Sequence, residues 1–178
     1  MSGPSEPTPR RVYIASVTLG YYAVLGGLFS FAGWAADLPR LTDWIGDGIS
    51  IQPNATIAAT LSGCALLLLA SGHRFIAALS GVTVAAIGGS VLYQYLSGTD
   101  LQIDTLLLFG REWGQTGVLS PGRMGPPGAV SWTLIGIAIV IASLFRMQGS
   151  RPRAVVPLLA SLTSAIASLS LIGYLYGA

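Results

Sequence analysis

Lysine is absent from this chain, and charge of either sign is scarce. Nine arginines and seven acids make up 9% of 178 residues, where a soluble domain carries about 25%. A net charge of +2, spread along the chain, excludes a nucleic-acid-binding surface. Cys64 is the single cysteine, so no internal disulfide or thiolate metal cluster can form. His73 is the single histidine, which excludes a His-pair metal or haem site within one chain. No metal ligand set and no cofactor is therefore expected. Asp, Glu, Arg and His are missing from the middle of every long apolar run, where they would mark an ion pathway. A Ser–His–Asp set, paired catalytic carboxylates and a phosphate-binding glycine loop are missing too. No catalytic residue is predicted.

Apolar sequence fills the space that charge leaves. Hydrophobic residues make up 52% of the chain and the mean hydropathy is +0.68. Runs of about 20 apolar residues recur, the length a helix needs to cross a bilayer. They predict an all-α polytopic bundle with five spans, at about 12–33, 55–71, 75–96, 129–145 and 154–176. The polar, proline-containing residues 1–11 read as a disordered tail. Two longer connections, 35–53 and 98–128, leave the bundle on one face, and two short basic turns leave it on the other. Glycines at 20, 26, 27, 81, 88 and 89 offer notches for neighbouring helices. In the first connection, Leu38, Leu41 and Ile45 recur at helical spacing and suggest a short interfacial helix. Asn54 is a candidate N-cap for the second span, and Asp104 for a short apolar turn over 105–109. Pro157 is expected in the first turn of the fifth span, where its missing N–H costs little.

Arginine counting sets the expected orientation. Arg10, Arg11, Arg74, Arg146, Arg151 and Arg153 fall on one face, against Arg40, Arg111 and Arg123 on the other. The richer face is the cytoplasmic one, so the N-terminus is expected inside and Ala178 outside. Trp34, Trp44, Trp113 and Trp132 gather at or beyond the outer interface.

The second and third spans resemble the fourth and fifth. Thr60, Leu61, Gly63 and Ala65 match Thr133, Leu134, Gly136 and Ala138 at an offset of 73. Tyr95-Leu96-Ser97-Gly98 matches Tyr174-Leu175-Tyr176-Gly177 at an offset of 79. Both hairpins run the same way, which makes a parallel repeat of the kind found in some transporters.

Candidate site residues concentrate on the outer face. Asp100, Asp104, Arg111, Glu112 and Arg123 share the loop 98–128. They could form a polar ligand or ion site, or the ion pairs and caps that hold the loop down. Arg123 stands out, because a guanidinium meets a carboxylate or phosphate as a fork. Tyr93, Gln94, Tyr95 and Trp132 lie near the outer helix ends with Tyr174 and Tyr176. An aromatic ligand could slot among them, or they form the usual interfacial aromatic belt. His73 reads as a solvated turn residue and Cys64 as packing.

The segment Asp100-Leu101-Gln102-Ile103-Asp104-Thr105-Leu106-Leu107 is similar to a DLGID-x-LL phrase, and Pro121-Gly122-Arg123-Met124 to a PGRM phrase before an apolar helix. With Tyr95-Leu96-x-Gly98 and Asn54-Ala55-Thr56, they resemble the N-terminal membrane-sensing region of bacterial sensor histidine kinases and related diguanylate cyclases. The resemblance covers roughly 34–177. The second copy departs from it, with Pro127 and Gly128 where the pattern has Asn-Thr. The resemblance implies a sensory module in a bacterial inner membrane, with any kinase or cyclase output outside these residues. Whether the chain is a truncated sensor or a stand-alone relative stays open. The alternative is a non-catalytic structural subunit of a larger membrane complex, and a third reading is a small-molecule carrier. Expected partners are the lipid bilayer and either a second copy or another membrane protein.

Overall fold

A computed structural model describes residues 10–43, 45–145 and 150–176, with the backbone alone over 150–153. The polar tail 1–9, Trp44 and the basic turn 146–149 lie outside the described residues. The described chain forms five helices: α1 (Arg10–Ala36), α2 (Pro53–Ala70), α3 (Arg74–Ser97), α4 (Pro126–Leu144) and α5 (Ser150–Leu175). All five are long and apolar enough to cross a membrane. Two 3-10 turns, Pro39–Leu41 and Thr105–Leu107, complete the elements. The described residues contain no strand, only an isolated bridge between Ile49 and Gln115. The chain is thus an all-helical, multi-pass membrane bundle. Helices suit lipid because each satisfies its own backbone donors and acceptors.

Glycine sets how closely the helices meet. A Cβ on Gly27 would strike Thr56 and Thr60 of α2, and one on Gly63 would strike Gly20 and Val24 of α1. The same packing recurs in the next pair. A Cβ on Gly88 would strike Ala129 and Thr133 of α4, and one on Gly136 would strike Gly81 and Ala85 of α3. The repeated packing unit is therefore α1–α2 followed by α3–α4, one helix out of phase with the hairpins read from sequence. Two predicted notches are open instead: among the described residues, no neighbouring atom lies within 4 Å of a Cβ on Gly26 or Gly89. Ala65, Ala77 and Ile139 form the buried contact where α2, α3 and α4 converge.

At the turn face, His73 and Ser71 close the tight α2–α3 turn, their Nδ1 and Oγ 3.2 Å apart. Arg74 then reaches across to the end of α4. Its Nε donates to Ser143 O at 2.8 Å, and its Nη2 donates to Ala142 O at 2.8 Å and Phe145 O at 3.0 Å. A guanidinium so placed satisfies the carbonyls that a helix end leaves open.

Among the described residues, helix α5 packs mainly against α4. No residue of its membrane-crossing window is buried. An apolar cavity of about 220 Å³ opens where it meets α2 and α4, lined by Leu66, Leu69, Ile135, Val156, Ala160 and Thr163.

Several local expectations change. Helix α1 runs Arg10–Ala36, beyond the predicted 12–33 at both ends. The Leu38–Ile45 pattern yields a single 3-10 turn, because Asp43 folds the chain back by accepting Gly46 N at 2.6 Å and Gly48 N at 2.8 Å. Pro53 and Pro126 start α2 and α4, which puts Asn54 inside α2 and makes Gln52 its N-cap. Asp104 does stand at the cap of the 3-10 turn Thr105–Leu107, yet its carboxylate makes no capping bond. Pro157 lies inside α5, since that helix begins at Ser150. At the loop face α3 ends on Gly98 in the left-handed conformation, φ 68°. Helix α1 is followed by Asp37 in the same conformation, φ 59°, although Asp37 carries a side chain.

Candidate functional site

The loop 98–128 folds over the helix ends around one buried ion pair. Arg123 Nε donates to Asp104 Oδ2 at 2.7 Å, with the Asp104 side chain 4% exposed and the Arg123 side chain 11%. The last turn of α3 supplies the next partner. Gln94, 1% exposed, donates from Nε2 to Asp104 Oδ2 at 3.0 Å, and its Oε1 accepts Arg123 Nη2 at 2.9 Å. That Oε1 also accepts the Leu101 N–H at 2.9 Å, which fixes where the loop leaves α3. Asp100 Oδ1 takes a second bond from Arg123 Nη2 at 3.1 Å and remains largely exposed. Asn54 Nδ2, in the first turn of α2, reaches Asp104 Oδ1 at 3.5 Å. The Arg123 guanidinium lies 5.8 Å from the centre of the Tyr95 ring, within cation–π range. The Tyr95 hydroxyl donates to Met124 O at 3.0 Å.

This arrangement gathers α2, α3 and the approach to α4 onto one carboxylate. The bond to Asp104, opposed by burial, holds Arg123 above its already high ordinary pKa, so the guanidinium stays charged. A buried charge whose polar neighbours complete its hydrogen bonds is tolerated, whereas one left alone is costly. Below the pair, Val91, Met124 and Ala129 form a small apolar core, with Tyr95 and Trp132 packed against it.

A second cluster joins the loop to α1. Arg111 Nη1 lies 3.1 Å from Asp37 Oδ2, and Trp113 Nε1 donates to Asp37 Oδ1 at 2.8 Å. The Trp113 ring stacks on Trp34 with centroids 4.2 Å apart. Trp34 is fully buried and donates to Ile51 O at 2.8 Å. The two long loops also join each other. Gln52 Nε2 donates to Gly114 O at 2.8 Å, and Thr116 N to Gly48 O at 3.3 Å.

Of the nine residues singled out from sequence, Asp100, Asp104, Arg123, Gln94 and Tyr95 come together in the buried network. Trp132 sits beneath it, and Arg111 belongs to the second cluster. Glu112 is exposed and joins neither cluster among the described residues, and Tyr93 is half exposed on the outer surface of α3. Sequence reasoning missed Asn54 as a partner of Asp104, and it missed Asp37, Trp34 and Trp113 as a unit. The small number of polar residues near the helix ends was the signal that could have found them. No group of His, Cys, Asp or Glu among the described residues could hold a metal ion. No protein-family model, curated protein or solved structure matches the chain.

Proposed function

We propose that this chain is a sensory module of a bacterial inner membrane. Its N-terminus is cytoplasmic, and it perceives a signal at its loop face and relays it by helix movement without catalysing a reaction. One observation carries the proposal: a bonded route runs from the buried ion pair to α5. Gly122 N, beside Arg123, donates to Gln115 Oε1 at 3.1 Å. Gln115 bridges to Ile49. Ile49 N donates to Asp47 Oδ1 at 2.9 Å, and Asp47 Oδ2 accepts the Tyr174 hydroxyl at 2.9 Å. Helix α5 has little buried surface of its own to hold its position, so this tether weighs heavily on where it sits. A signal that binds one arrangement of the loops better than another would shift the position of α5.

Spin labels on Ser71 and Ala154, in a Cys64→Ala background, would report the α2–α5 distance at the turn face. Arg123→Ala should shift that distance distribution. Tyr174→Phe should produce the same shift, and Arg123→Ala added to it should change nothing further. A distance indifferent to Arg123→Ala would sink the sensory reading. The second reading, a non-catalytic structural subunit, is favoured by the open surface of α5. Stoichiometric recovery of another membrane protein from mild detergent, with that indifferent distance, would support it.

A further inference from the structure

The segment 101–109 is inside out for a loop in water. Asp104 is its only ionisable residue, and it is buried at 5% exposure against Gln94 and Arg123. Leu108 packs inward, but the larger share of the segment's apolar surface faces away from the protein: Leu106 is 72% exposed, Phe109 46% and Leu101 41%. Water would favour the opposite arrangement, and a contiguous outward apolar surface of this kind marks an interaction site.

The height of the segment says what covers it. It does not stand above the bundle. Asp104 bonds to Gln94, three residues before the end of α3 at Ser97, about 4.5 Å below that end at the helical rise. Phe109 makes an edge-on contact with Phe31, ring centroids 5.8 Å apart. Phe31 lies five residues before the end of α1 at Ala36, about 7.5 Å down. The α1 surface below Phe31 is apolar and open, with Leu25, Leu28 and Phe29 each at least half exposed. The loop surface thus continues the surface that α1 presents to lipid.

We propose that residues 101–109 lie in the headgroup layer of the bilayer, with Leu106 and Phe109 reaching the acyl chains beside α1. The ion pair inside the loop is then what lets it lie there, because every charge it carries is turned inward. The partner is the lipid leaflet at the loop face.

Nitroxide labels test this on the full chain in phosphatidylcholine vesicles, again with Cys64→Ala. Leu106→Cys and Leu101→Cys are surface positions that leave the ion pair intact, and Glu112→Cys is the aqueous reference. Oxygen, which concentrates in lipid, should relax the labels at 106 and 101 more than a water-soluble nickel chelate does. The order should reverse at 112. Nickel accessibility at 106 equal to that at 112 would overturn the proposal, whatever the result at 101. A Phe109→Cys label should show the deepest position of the set. If that variant does not fold, the label at 106 decides alone.

Discussion

Helices α3 and α4 are fastened three times, while α5 is barely fastened at all. Between α3 and α4 the glycine seam of Gly81, Gly88 and Gly136 brings backbones into contact. Arg74 closes one end, and the Arg123–Asp104 pair gathers the other. Helix α5 lies against α4 with an apolar cavity beside the contact, and among the described residues the Tyr174–Asp47 bond ties it to the loops. Both pairs are apolar helices of similar length, so hydropathy alone does not account for the difference. In lipid, apolar surface supplies no drive for helices to associate. Association rests on close backbone approach and on polar groups that complete each other. The rigid pair has both, and α5 has only the alanines and serines of its open faces.

The largest effect should follow from breaking the buried pair. Arg123→Ala leaves Asp104 buried with Gln94 and Asn54 as its remaining partners. The expected loss is about 3 kcal/mol, at the low end for a buried pair because Arg123 lies at the rim of the bundle. Unfolding in mixed micelles would measure it. The double change Arg123→Met with Asp104→Leu should recover most of the loss, since removing both charges removes the stranded one. A double variant as unstable as Arg123→Ala would mean that the fork itself, not the stranded carboxylate, sets the cost.

The seam comes next. Gly136→Leu drives a side chain into the backbone of Ala85 and Gly81 and should cost about 2–3 kcal/mol. Ala167→Leu, on the open surface of α5, should change stability by no more than about 0.5 kcal/mol. Equal losses at the two sites would erase the contrast between the helix pairs. Arg74→Ala should cost less than Gly136→Leu, about 1 kcal/mol, because Arg74 is exposed and, of its three carbonyl partners, only that of Ser143 belongs to a buried residue. Its signature should be local, with faster amide exchange in the last turn of α4 and none in α5.

The fold was largely legible because lipid imposes a length and a polarity that any reader can count. Helix ends were less so. Pro53 and Pro126 fix two of them at the first helical position, and α1 runs on through Trp34 because that ring is buried under Trp113. The site was legible in part for a related reason. With so few ionisable residues, Arg123 and Asp104 could hardly avoid notice, and Gln94 is an amide at the end of an apolar span. Their neighbours were not legible. Asn54 and Asp104 are 50 residues apart, Arg74 and Ser143 are 69 apart, and Tyr174 and Asp47 are 127 apart. Such contacts depend on which helices lie side by side, and the apolar runs do not encode that. Glu112 shows the converse, since a charge in the right loop still joins no cluster.

The smallest predicted effect separates the two helix pairs by acid. The first loop, which holds the α5 tether, is shaped by Asp43. Burial pushes the Asp43 carboxyl up, but the N–H groups of Gly46, Gly48 and Asp47 and the nearby Arg40 outweigh it. The carboxyl therefore stays below its ordinary value of 3.8. A depressed carboxyl stabilises the fold above its unfolded value and loses that contribution as pH falls through its folded one. The loop should therefore keep its shape at pH 4 and loosen only below 3.8. The amide resonances of Gly46 and Gly48 should move together in that range, because both donate to this carboxylate. With the loop loosened, the α5 label at Ala154 should gain mobility while a label on Leu144, at the end of α4, stays as it was. The Arg74 clasp and the glycine seam, which hold the Leu144 end of α4, contain no carboxylate, and the third fastening, the Arg123–Asp104 pair, lies at the opposite end of the helix. A transition in Gly46 and Gly48 centred above 3.8, or equal loosening of α4 and α5, would show that the first loop does not control the tether.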